Sequence, residues 1–135
     1  MNLQEAKKQK EQKNSRLFDK VGLFFAFSNE QFHANKTPLK EGEKYTSIGG
    51  GGYLPKGNFE ALQKGMKQNE KEYKDTLKAH NLRLKEIVYE FGNHECFYTG
   101  DWTVVSEIFP TVPKATIETL YYKELKKHNQ WLKTQ

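Results

Sequence analysis

Cysteine is almost missing from this chain: Cys96 stands alone among 135 residues. A single thiol excludes an intramolecular disulfide framework and any zinc site built on thiolates, and it points to a reducing compartment such as the cytosol. Long apolar runs are missing too. None approaches the ~20 residues that a membrane span needs, and the opening MNLQEAKKQKEQKNSR holds no apolar stretch of signal-peptide length. Apolar residues are scarce overall, 36% against 29% charged, with a mean hydropathy of −0.91. Much exposed helix is therefore expected. Acidic charge falls short of basic, leaving a net +5, which suits an anionic partner: nucleic acid, a nucleotide or an acidic surface.

What is present in quantity is aromatic: nine Phe, seven Tyr and two Trp, enough bulk for a core built from few residues. The length suits one domain. Residues 1–20 carry six basic and three acidic groups, and the first 16 have only Met1, Leu3 and Ala6 apolar, so the segment reads as a charged tail or frayed helix, with a single α+β domain over 21–135. Positive charge gathers there and at residues 114–135, where five lysines face two glutamates, while 57–113 is net −2.

Along the chain, VGLFFAF at 21–27 is a short continuous apolar run that predicts a strand. Ser28 suits the cap of a short helix through Asn35. YTSIGGGGYL at 45–54 reads as a strand with a glycine bulge or as strand, loop and strand. From Asn58, an apparent N-cap, a seam of Phe59, Leu62, Met66, Asn69, Tyr73, Leu77, His80, Leu84, Ile87 and Phe91 recurs at threes and fours and predicts one long helix over about 58–91, ending at Gly92. A break at Asn69 or near Asn81 would shorten it. Unbroken, its roughly 33 residues would extend roughly 50 Å, too long for one small domain, so a homo-oligomer built on the seam is one expectation and packing on the C-terminal helix the other. Asp101 suits the cap of a helix over about 102–109, and Pro113 the start of a last one through 132. The fold class is thus helix-dominated α+β, a small sheet or hairpin on one long helix and a C-terminal helix pair.

Two segments have the makings of a site. Gly49, Gly50, Gly51 and Gly52 can expose bare N–H groups to an anion, with Lys56 and Asn58 close behind at a helix start. The pattern departs from a Walker A loop, since YLPKGN follows Gly52 and no Ser or Thr follows the lysine. The alternative is a structural glycine bulge. Phe25, Phe27 and Tyr53 offer rings for stacking. The second segment, Asn93, His94, Glu95, Tyr98, Thr99 and Asp101, crowds polar and titratable groups after a helix end, either to orient a ligand or to cap helices. One His without an H-x-x-x-H partner gives no metal set, no catalytic set is recognisable, and no cofactor is implied.

The runs FFAFSNEQF, SIGGGGYLPKGN and EFGNHECFYTGD resemble a family of small uncharacterised proteins of Bacteroidetes and their phages, crAss-like phages included, over about residues 21–101. The resemblance implies a phage or mobile-element accessory protein in the cytoplasm of a bacterial host and transfers no catalytic or binding residue. The functional expectation is a non-enzymatic binder of a small anionic, nucleotide-like ligand, a sponge for a host immune signal, with Phe25, Phe27, Gly49–Gly52, Tyr53, Lys56, Asn58, Asn93, His94, Tyr98, Thr99 and Asp101 as its lining. The alternative is a DNA-binding regulator using residues 102–127, whose two-proline turn and long second helix fit a helix-turn-helix poorly. A hydrolase using His94 with Glu95 or Asp101 ranks last.

Overall fold

The computed structural model describes residues 1–135, which divide into two compact units, 1–77 and 78–135. The N-terminal stretch belongs to the first unit. That stretch is a capped helix, α1, Leu3–Val21. Asn2 and Glu5 form a reciprocal capping box at its start, and Gly22, at φ 73°, closes it in the left-handed region that glycine enters without steric cost. This closure explains why the apolar run 21–27 makes so short a strand. Val21 ends the helix, and β1 is only Phe24–Phe25.

α2, Asn29–Asn35, follows, with Ser28 Oγ accepting from the Gln31 N–H. β2, Tyr45–Gly49, and β3, Gly52–Pro55, form a hairpin, and β1 pairs antiparallel with β3 to give the order β1-β3-β2. Gly49 lies opposite Gly52, so Gly50 and Gly51 alone make the turn. Their φ values of 57° and 81° are those a two-residue hairpin loop requires at both positions. One sheet face packs Phe24, Phe32, Tyr45 and Tyr53 ring against ring, at centroid separations between 5.1 and 5.8 Å. The other carries Leu54, fully buried with Val21 and Leu62.

After a 3-10 turn at Lys56–Asn58, α3 runs over Phe59–Ala79 antiparallel to α1. Gly65 lets Leu17 approach so closely that a Cβ there would stand 2.5 Å from the Leu17 side chain. Further along, Asn69 donates to Asn14 at 2.9 Å and Lys13 to Glu72 at 2.9 Å. The Lys13 hydrogen bond, with help from Gln68, holds the Glu72 carboxyl below the usual carboxylate range. Lys10 lies 4.7 Å from the centroid of the buried Tyr73 ring. The seam on this helix is thus covered largely by α1 of the same chain.

The single helix expected over 58–91 is interrupted. Asn81 sits at φ 54°, a left-handed position that asparagine tolerates better than most residues. α4, Arg83–Asn93, begins beyond it and ends past Gly92, the left-handed residue being Glu95 at φ 54°. The second unit continues with α5, Cys96–Thr99, α6, Thr103–Ile108, and α7, Lys114–Lys133, the C-terminal helix pair that the sequence predicts. Its core is Ile87, Phe91, Cys96, Val105, Ile117 and Tyr121. No helix is long and apolar enough to cross a membrane.

Candidate functional site

In the first unit, the hairpin and the start of α3 bound an open cleft of about 410 Å³ lined by Thr46, Ser47, Lys56, Gly57, Phe59 and Glu60. Its geometry follows from the turn. The two-residue loop sets Gly49 opposite Gly52, and a bulge at Ile48 then shifts the register by one residue so that Tyr45 lies opposite Pro55 and Thr46 opposite Leu54; the Lys56 N–H donates to the Lys44 carbonyl at 2.8 Å. The backbone of Lys56 is thereby locked to the sheet while its side chain stays exposed. The Asn58 amide donates to the Val21 carbonyl at 2.9 Å, tying the start of α3 to the end of α1. Glu60 pairs with Lys64 at 3.0 Å, and Phe59 keeps 39% of its surface exposed.

The four glycines lie at the hairpin tip, outside the lining of this cleft. Their surroundings are those of a turn. The Gly51 carbonyl accepts from the Ala26 N–H at 2.9 Å, and the Gly49 N–H donates to Ser47 Oγ at 3.2 Å. A Cβ on Gly51 would meet the Phe27 ring at 2.4 Å, and one on Gly52 would meet Ile48 at 2.7 Å. Phe25 and Phe27 therefore lie across the glycine turn, with 48% and 77% of their surfaces still exposed. Tyr53 is engaged with Phe24 and Phe32 on the opposite face of the sheet.

The second set of expected residues belongs to the second unit. Glu90 on α4 gathers two of them, accepting from Asn93 Nδ2 at 3.3 Å and lying 3.2 Å from His94 Nε2. Thr99 Oγ1 accepts from the Asp101 N–H at 3.1 Å, and Asp101 Oδ1 accepts from the Thr103 N–H at 3.0 Å and from the Thr103 hydroxyl. The N-cap of α6 is Trp102, one residue after the Asp101 that the sequence predicts, and it makes no side-chain cap bond; Asp101 instead holds the Thr103 N–H from just before the helix, and these bonds occupy the polar atoms locally. Tyr98 is 91% exposed. Beneath this segment Cys96 is fully buried. Burial, with the Asp101 charge adding to it, pushes its thiol above the ordinary range. Tyr121 donates to the Cys96 carbonyl at 3.0 Å, and burial raises its phenol in the same way.

Of the expected lining, only Lys56 borders the cleft directly. Thr46, Ser47, Phe59 and Glu60 join it there with no individual motif to mark them. The signal that could have found them is the Gly50-Gly51 pair read as a hairpin turn together with the bulge at Ile48 beside it, because the register that the two set carries Thr46 and Ser47 to the level of Lys56.

No curated protein and no solved structure matches the chain. The match that does exist is to a family whose function is not established, in agreement with the resemblance seen in the sequence at that level. The chain belongs to the family of unknown function DUF7659, whose model matches residues 6–127 and so takes in most of both units.

Proposed function

We propose that this protein is a non-enzymatic binder of a small anionic ligand, and that the cleft beside Lys56 is where the ligand sits. The observation that carries the reading is the chemistry of the lining. Lys56 supplies a charge, Thr46 and Ser47 two hydroxyls, Phe59 an exposed ring and Glu60 a carboxylate acceptor. A molecule with a phosphate for the lysine, a planar ring for the phenylalanine and hydroxyl or amino donors for the glutamate uses all of them, and nucleotides have those parts. The volume of about 410 Å³ falls in the usual range of ligand pockets. Sequestration of a nucleotide-type signal, the role suggested for a phage accessory protein, needs binding without turnover and fits such a cleft.

Titration calorimetry of the full chain against linear and cyclic nucleotides tests this. Binding is expected for at least one, and Lys56→Ala should weaken it by about 1.5–3 kcal/mol, the contribution of one charge-assisted hydrogen bond. Absence of heat with every nucleotide at high micromolar concentration overturns the proposal.

A further inference from the structure

Helix α7 has two halves of different character. Ile117 and Tyr121 are buried in the core of the second unit, and beyond Tyr121 no residue is buried. His128 remains half-buried, its ring stacked on Phe97 at 5.0 Å. The last three turns therefore touch the unit along one side only. At 100° per residue, Lys133, Lys126, Gln130, Lys123 and Lys127 fall within one arc of about 120° on the side away from Ile117, Tyr121 and His128. All five are exposed. Tyr122 and Trp131, 55% and 56% exposed, stand at the two rims of that arc. Along one rim, Tyr122, Lys126, Asn129 and Lys133 border a shallow groove of about 370 Å³.

The arc carries no carboxylate. Glu124, the one acidic residue of the distal half, pairs with Lys127 at 3.3 Å, and no ion pair engages Lys123, Lys126 or Lys133. A second copy laid on this face would set lysine against lysine. We infer that the exposed arc of α7 binds the backbone of duplex DNA. Its charge is complementary to phosphate, a helix is the element that the major groove admits, and the amides of Asn129 and Gln130 stand among the lysines, where such side chains reach base edges. The inference rests on α7 alone and is independent of the Lys56 cleft.

Fluorescence anisotropy of a labelled mixed-sequence duplex with the full chain tests it. Binding should weaken steeply as salt rises, with a log–log slope of about −3 from three to four phosphate contacts at ~0.9 each. Lys126→Gln with Lys133→Gln should reduce that slope by about 2, whereas Lys8→Gln with Arg16→Gln on α1 should leave it unchanged. Circular dichroism should show both double variants folded, since every substituted side chain is exposed. No binding at low salt overturns the inference. So does an equal loss from the α1 variant, which would mean diffuse charge, and so does tighter binding of a single strand of the same length.

Discussion

Gly51 illustrates how one residue type can signal two different things. Bare glycine N–H groups can cradle an anion, and left-handed φ values can close a hairpin; four glycines in a row advertise both. In the structure the second use explains Gly50 and Gly51, because the two form a complete two-residue turn at φ 57° and 81°. Gly51→Ala is expected to cost more than the ~1–2 kcal/mol of a non-glycine residue in the left-handed region, because its Cβ would also meet the Phe27 ring. Gly50→Ala, with open space around its Cβ position, should cost no more than that backbone component. Thermal melts of the two variants measure the difference, which is the contribution of the Phe27 ring over Gly51. A melting temperature unchanged by either substitution would contradict the turn assignment. Neither variant should alter ligand binding, since the tip does not line the cleft.

Among the helices, the close approach of α1 and α3 depends on Gly65. A glycine inside a helix ordinarily costs about 1 kcal/mol against alanine, and here the missing side chain is the space that Leu17 fills. Gly65→Val should therefore overpack the pair and destabilise the protein by about 1–3 kcal/mol, read as a lowered midpoint in chemical denaturation. A midpoint at or above that of the parent chain would mean that Leu17 swings aside and that the crossing is not set by the glycine. Much at this scale is legible in the sequence: the Ser28 cap, the strand pair around the glycines and the C-terminal helix pair each follow from local chemistry, whereas the cap of α6 falls on Trp102, one residue past Asp101. What was not legible depended on single backbone conformations. Asn81 occurs inside helices as readily as at a left-handed break, so nothing local distinguished one helix of roughly 50 Å from α3 and α4. Gly22 within VGLFFAF looked like part of a strand, because its role as a helix stop appears only once α1 is known to reach Val21. The seam on α3 is apolar as expected, but α1, which the sequence presents as a charged tail or frayed helix, is the element that covers Leu62 and Tyr73.

For the molecule as a whole, the two concentrations of positive charge noted in the sequence have different settings. The lysines of α1 are partly spent, Lys10 on Glu70 at 2.7 Å and Lys13 on Glu72, whereas Lys123, Lys126 and Lys133 of α7 enter no ion pair. The candidate ligand cleft belongs to the first unit and the basic arc to the second. The site was the least legible feature, because Thr46, Ser47, Phe59 and Glu60 are ordinary residues that share a cleft only through hairpin register. Most of the polar cluster at 93–101, by contrast, is taken up in local bonds, Asn93 and His94 to Glu90, Thr99 to Asp101 and Asp101 to Thr103. The central claim is therefore positional: a small anion binds beside Lys56, on the flank of the hairpin. Nitrogen–proton correlation spectra of the isotope-labelled chain, recorded as a nucleotide is titrated, test it most directly. The account predicts that the amide signals of Thr46, Ser47, Gly57, Phe59 and Glu60 shift with saturation, while those of Gly50 and Gly51 stay nearly in place; shifts confined to the glycine tip or to residues 93–101 would contradict it.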